Sequence, residues 1–217
     1  MDDKQLRQNI LDELEFEPSV DAASVGVAVH DGVVTLSGHL SSYAEKLAAE
    51  RAVRQIKGVR AIAQEIEVRY PSDKKTADDE IAKRALSVLR WHAMVPRDVV
   101  QVTVQKGWVT LSGEVEWQYQ RKTAEHAVRK LSGVAGVINN ISLKPTVAVS
   151  DIKKKIEGAL ARHAHNEAEA IRVNVRDGNK VLIEGRVDSW DEREAIEDAA
   201  WSVPGVHSVD DRLTIAR

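Results

Sequence analysis

Apolar residues recur at every fourth position in three stretches of the chain. Leu6, Ile10 and Leu14 form the first set, Ile81, Ala85 and Leu89 the second, and Ile152, Ile156 and Leu160 the third. A spacing of four places each set on one face of an amphipathic helix. Strict alternation follows each helix. Val25, Val27 and Val29 correspond to Val100, Val102 and Val104, and then to Ile171, Val173 and Val175. The intervening residues are mostly polar in the last two copies (Gln101, Thr103; Arg172, Asn174), which predicts a strand with one face in water. A turn containing Gly32, Gly107 or Gly178 reverses the chain. The return strands alternate through Val34, Leu36 and Leu40; Val109, Leu111 and Val115; and Val181, Ile183 and Val187.

These matches reflect an internal repeat. Asp31-Gly32-Val33-Val34-Thr35-Leu36-Ser37-Gly38 recurs as Lys106-Gly107-Trp108-Val109-Thr110-Leu111-Ser112-Gly113, and more loosely from Asp177 to Gly185 with one extra residue in the turn. Gly38, Gly113 and Gly185 are separated by 75 and 72 residues, and so are Gly58, Gly133 and Gly205. Two independent landmarks share one period.

A second helix follows each hairpin. Ser42 with Glu45, and Ser189 with Glu192, have the spacing of a capping box, whereas the middle copy has Glu116 nearby instead. These helices are expected to end at Gly58, Gly133 and Gly205 in the left-handed conformation. A third strand closes each unit, and its inward-facing row contains one polar residue: Gln64, Asn139 or Asp211. A bulge or a hydrogen bond to a loop would account for it. A strand–helix–strand connection favours a parallel crossover, whereas the hairpin is antiparallel. The fold class is therefore α+β: three tandem αββαβ units, each a three-stranded mixed sheet with two helices on one face. The expected domains are residues 1–70, 76–145 and 148–217. The linkers, Pro71 to Lys75 and Pro145-Thr146, are short, which favours fixed or semi-fixed domains.

With their opening helix, Gly-Val/Trp-Val-Thr-Leu-Ser-Gly hairpin, helix ending in Gly-Val and Val-x-Asn-x-Ile strand from Val137 to Ile141, the units resemble BON domains, the bacterial module named for OsmY and nodulation proteins. The resemblance covers nearly the whole chain, three times over. Asn179-Lys180 and Glu184 set the third copy apart. This OsmY-like pattern implies a non-enzymatic binding module, associated with phospholipid membranes, envelope integrity and osmotic or general stress. One cytoplasmic relative binds potassium. The motif residues are structural glycines (Gly32, Gly38, Gly58, Gly107, Gly113, Gly133, Gly178, Gly185 and Gly205) and core aliphatics, and the resemblance carries over no catalytic or binding residue.

Composition narrows the chemistry. Among 217 residues, 43% are hydrophobic and 30% charged, and there is no cysteine. Disulfides, thiolate metal sites and cysteine nucleophiles are excluded. No apolar run reaches a membrane span. If Met1 is the native start, the expected compartment is the cytoplasm; removal of a leader would make it the periplasm. No cofactor fingerprint, phosphate-cradling loop or nucleophile elbow is present, so no enzyme is expected and no cofactor.

Charge is unevenly spread. Residues 1–70 carry 8 basic and 12 acidic side chains, residues 71–146 carry 12 and 8, and residues 147–217 carry 11 and 14. The middle copy is thus basic between two acidic ones. It also holds Trp91, Trp108 and Trp117, with Tyr119 close by. Tryptophan beside basic residues suits the interface of an anionic phospholipid bilayer. Lys83, Arg84, Arg90 and Arg97 would supply charge on one side, and Arg121 and Lys122 on the other. The alternative is that these aromatics seal interfaces between copies. Self-association or protein scaffolding, and cytoplasmic potassium sensing, are the other function classes; nucleic acid is not expected as a partner.

Three smaller features have plain readings. His163 and His165, with Glu167 and Glu169 beyond, have metal-ligand residue types, yet a spacing of two does not share a helical face. Asp78-Asp79 and Asp210-Asp211 read as solvated carboxylates. The acidic helix from Asp188 to Asp198 carries Trp190 and Trp201, and its carboxylates offer a second place for a cation; Trp201 beside Ala199-Ala200 reads as packing inward.

Overall fold

In the computed structural model, the described residues are 2–70, 77–144, 152–162, 171–176 and 179–215. They form helix, hairpin, helix and strand three times over. Domain 1 comprises α1 (Asp3–Phe16), β1 (Val25–His30), β2 (Val33–Leu40), α2 (Tyr43–Arg54) and β3 (Ala61–Val68). Domain 2 comprises α3 (Asp78–Trp91), β4 (Val100–Gln105), β5 (Trp108–Val115), α4 (Gln118–Val128) and β6 (Gly136–Leu143). Domain 3 comprises α5 (Ile152–Arg162), β7 (Ile171–Arg176), β8 (Lys180–Val187), α6 (Trp190–Trp201) and β9 (Ser208–Ile215). Residues 1–142 make one compact unit and residues 143–217 another. Among the described residues, no helix is long and apolar enough to cross a membrane.

Each sheet has three strands, with the return strand of the hairpin in the centre. β1 and β2 run antiparallel, and β3 joins β2 in parallel. The same pairing recurs in β7, β8 and β9. Both helices of a unit cover one face of its sheet. In domain 1, Leu6, Ile10 and Leu14 meet Val25, Val34, Leu36, Ala49, Val53 and Ile66 in one buried cluster. Each fully buried aliphatic side chain contributes about 1.5–3 kcal/mol. The corresponding face of domain 3 is built by Ile152, Ile156, Leu160, Val181, Ile183 and Ile196. The spacing-of-four sets and the alternating inward rows therefore build the cores, except that Val175, at the hairpin end of β7, is 38% exposed.

The hairpins of domains 1 and 2 turn through two residues, between His30 and Val33 and between Gln105 and Trp108. Asp31 and Gly32 have φ of 49° and 75°, and Lys106 and Gly107 have 53° and 78°. Positive φ at both central residues is the type I′ geometry that matches strand twist. Domain 3 pairs Arg176 with Lys180, one residue further apart, as its longer repeat requires. Gly38 and Gly113 serve another purpose. A Cβ there would run into the Ser24 and Val99 carbonyl oxygens. Gly178 lies outside the described residues, as do the two linkers.

Three local expectations need correction. The second helices stop at Arg54, Val128 and Trp201, several residues before Gly58, Gly133 and Gly205. A further turn intervenes, with Val59 N–H donating to the Ile56 carbonyl in domain 1. The glycines then take φ of 102°, 92° and 92°, the left-handed region expected of them. The capping boxes form in part. Glu45 and Glu192 donate their N–H to the Ser42 and Ser189 hydroxyls, but their carboxylates reach past the cap to the N–H of Ser41 and Asp188. In domain 2 the acceptor is Gln120, not Glu116; its carboxamide oxygen takes the N–H groups of both Glu116 and Trp117.

The polar residue in the inward row makes no bulge in β3 or β9. The parallel registers run on unbroken through Gln64 and Asp211. Each side chain accepts the N–H two residues on: Gln64 from Ile66, Asn139 from Ile141 and Asp211 from Leu213. Asn139 and Asp211 also hold the second helix. Asn139 Nδ2 donates to the Arg121 carbonyl and to Glu125, and Arg193 donates to Asp211 at 2.7 Å.

Candidate functional site

The ten aromatic and basic residues expected to form a ligand surface in domain 2 divide among three places. Trp91 ends α3, where the helix runs out of apolar periodicity at His92. Trp91 is 85% exposed, with Met94 and Leu86 also exposed nearby in the chain. Leu86, Leu89, Val95, Pro96 and Val100 line a shallow groove at this corner, with Arg90 and Asp98 as its charged members. Arg90 and Arg97 are exposed there, and neither enters an ion pair among the described residues. His92, between them, plays a local part: its Nδ1 accepts the Met94 N–H at 3.4 Å.

Lys83 and Arg84 lie further back on α3 and are already paired. Lys83 meets Asp79 at 3.1 Å and Arg84 meets Glu80 at 3.0 Å, each one helical turn away. The hydrogen bond and charge of Lys83 hold the Asp79 carboxyl below its usual range. Such exposed pairs are weak and open readily, but they engage two of the four cations expected on this side of the domain.

Trp108 is elsewhere, on the open face of the sheet, and 50% exposed. It corresponds to Val33 and Lys180, which are also exposed, so its outward placement follows from strand alternation. Trp117 caps the start of α4 and is half-buried, with exposed Tyr119 just after it. Arg121 is drawn inward, donating to the Asn139 carbonyl at 3.2 Å, and Lys122 is half-buried. The second basic flank is thus partly structural.

The contact between domains 1 and 2 rests on tyrosines that the sequence reading passed over. The Tyr70 hydroxyl donates to the Val134 carbonyl, 64 residues away. Tyr43 is hydrogen-bonded to the backbone of Val137 and lies near Glu125 and Arg129. Burial raises the pKa of both phenols; for Tyr43, Glu125 adds to the rise and Arg129 opposes it. These two residues, not exposed Trp91 or Trp108, join the first two domains. Their position near the start of α2 and just after β3 was the available signal.

The remaining candidates are absorbed by structure. Asp78 is not merely solvated: its two carboxylate oxygens accept the N–H groups of Lys106 and Gly107 at 2.7 and 2.9 Å. Asp3 does the same for Asp31 and Gly32. Asp211 is half-buried against Arg193. In α6, Glu192 is engaged at the cap and Glu197 accepts from Trp201 Nε1 at 3.1 Å; Trp201 packs on the domain core. The Arg193 guanidinium lies 5.3 Å from the Trp190 ring centre. His163, His165, Glu167 and Glu169 lie outside the described residues. Among those described, no three His, Asp or Glu side chains converge as a metal site.

A family model described as the BON domain matches residues 2–70, 77–145 and 148–217. Osmotically-inducible protein Y of Escherichia coli (strain K12) is 28% identical over 153 residues, covering 66% of this chain and 74% of that protein. Among solved structures, that of CdsD, a structural protein of the Type III secretion system of Chlamydia trachomatis, matches 98% of this chain and 92% of its own at 13% identity and a TM-score of 0.28. The C-terminal domain of CdsD gives 13% identity and a TM-score of 0.27, with both chains fully covered.

Proposed function

Because the chain belongs to the BON domain family, with three copies spanning nearly all of it, we propose that it is a non-enzymatic, stress- and envelope-associated binding protein that holds anionic phospholipid surfaces through its middle domain. The observation carrying this reading is the corner at the end of α3. Trp91 stands out there at 85% exposure, with Met94 and Leu86 exposed nearby in the chain. Exposed Arg90 and Arg97, which enter no ion pair among the described residues, lie on either side of it in sequence. An aromatic ring seats at headgroup depth while guanidinium groups meet phosphate. Phe16, 75 residues earlier at the equivalent end of α1, is 83% exposed. Two copies thus present an aromatic ring at the same corner, but only the basic copy adds the charge. The stress association is supported by the similarity to a protein named for osmotic induction.

Vesicle flotation of the full chain tests this. Phosphatidylglycerol vesicles should carry the protein at low salt, less so at physiological salt, and phosphatidylcholine vesicles should carry little. Trp91→Ala and Arg90→Glu/Arg97→Glu should each abolish flotation with circular dichroism unchanged. Flotation that survives both variants would remove this corner from membrane binding, and none under any condition would remove the lipid reading.

A further inference from the structure

Trp108 is left without a role at the α3 corner, and its geometry has a separate meaning. A Cβ built on Gly136 would lie 2.5 Å from Cζ3, 2.7 Å from Cε3 and 2.8 Å from Cη2 of the Trp108 ring. Three neighbouring ring atoms at nearly one distance place the ring face-on to the sheet. One π face covers the glycine and the other turns to solvent. The equivalent pairs are Val33 beside Ala61 and Lys180 beside Ser208, so the flat ring belongs to domain 2 alone.

Apart from Lys106, which lines the turn end of the groove, the residues around it are polar and uncharged. Gln101 faces Ser112, Thr103 faces Thr110 and Gln105 faces Trp108 across the strands. Ile138 adds an apolar edge, 44% exposed, and a shallow groove runs between these side chains. Charge is confined to the two ends, Lys106 in the turn and Glu114 late on β5. The chain as a whole is 30% charged, and the same face of domain 3 carries Arg172, Arg176 and Arg212. A face with a single cation and a single carboxylate at its ends, on so charged a protein, is poorly matched to phosphate, nucleic acid or charged peptide.

We propose that the open sheet face of the middle domain binds a neutral glycan chain. The C–H bonds of a pyranose ring carry partial positive charge and seat on the negative π face of an indole. Sugar hydroxyls donate and accept, as the carboxamide of Gln105 and the hydroxyls of Thr103 and Thr110 do in return. A flat apolar floor with a few polar groups around it is the usual form of such a site. A second copy of this chain is the weaker occupant, because one indole and one isoleucine supply far less apolar area than a stable dimer needs.

The test uses the full chain and two neutral probes, chitotetraose and cellotetraose. Indole N–H resonances are followed by NMR, with Trp108 assigned from the Trp108→Phe spectrum. Millimolar oligosaccharide should shift the Trp108 signal and leave that of Trp91 in place. Trp108→Ala should weaken binding by about ten-fold or more. Gly136→Ala should do the same with the tryptophan retained, since the new methyl lifts the ring off the sheet. Trp91→Ala should bind normally, and circular dichroism checks each fold. No shift with either probe, or an equal affinity in Trp108→Ala, would overturn the proposal. So would a Trp108-dependent dimer that the oligosaccharides do not dissociate.

Discussion

The Tyr70 hydroxyl donates its proton to the Val134 carbonyl, tying the strand end of domain 1 to the turn before β6 of domain 2. Tyr70→Phe leaves that carbonyl without its partner in a half-closed contact, at an expected cost of about 1–2 kcal/mol. Urea unfolding of the full chain should show lower stability, with the domain 1 and domain 2 transitions drawing apart. Tyr70→Ala, which also removes the ring, should separate them further. An unchanged curve for Tyr70→Phe would remove the hydroxyl from the coupling.

The same contact should weaken in alkali. Burial is the main cause of the raised pKa at both Tyr43 and Tyr70, so the folded protein favours the neutral phenols. In the unfolded chain a tyrosine ionises near its ordinary value of 10.0. Below that pH both states keep the proton, and the contribution to stability is fully present. Above it the unfolded chain releases protons first, so stability falls as pH rises through the folded values. Urea midpoints measured across this range should drop more steeply in the native chain than in Tyr43→Phe/Tyr70→Phe.

Asp78 clamps the β4–β5 hairpin to the start of α3 by accepting both amides of the type I′ turn. Asp78→Ala removes two charge-assisted hydrogen bonds and should cost about 1–3 kcal/mol. Amide exchange at Lys106 and Gly107 should accelerate well before global unfolding. Asp3→Ala should act likewise on Asp31 and Gly32. Protection unchanged in both variants would show that the turn holds itself.

The fold was legible because its signals are local and repeated. Leu6, Ile81 and Ile152 announce helices by spacing, and Val34, Val109 and Val181 announce central strands by alternation. What was not legible depends on distance. Asp78 and Gly107 are far apart in sequence, so the carboxylate read as solvated. Gly58 marks the end of a turn that follows the helix, a difference no composition signal carries. Of the site, the basic and aromatic residue types were readable from sequence, but their division among a helix corner, a sheet face and a helix cap was not. Pairing of Lys83 with Asp79 and Arg84 with Glu80 is legible in the spacing of four. Tyr43 and Tyr70 carried no periodic signal at all.

The inward polar position gives the last prediction, because two of its three versions, Asn139 and Asp211, are matched to different helix partners. Asn139 Nδ2 donates to the Glu125 carboxylate at 3.0 Å, whereas Asp211 accepts from Arg193 and the equivalent Glu197 turns to Trp201. Asn139→Asp would therefore replace a donor with a carboxylate facing a carboxylate. Domain 2 should lose about 2–3 kcal/mol at neutral pH. Two carboxylates sharing one site raise the pKa of one of them, so the variant's stability should fall as pH rises through that raised value. Its deficit relative to the native chain should accordingly shrink in mild acid. Asp211→Asn should be gentler, about 1 kcal/mol, since the amide oxygen still accepts from Arg193 or the Leu213 N–H. Unfolding of both variants at neutral and mildly acidic pH decides the matter: equal losses that ignore pH would mean that Glu125 does not face Asn139 closely enough to matter.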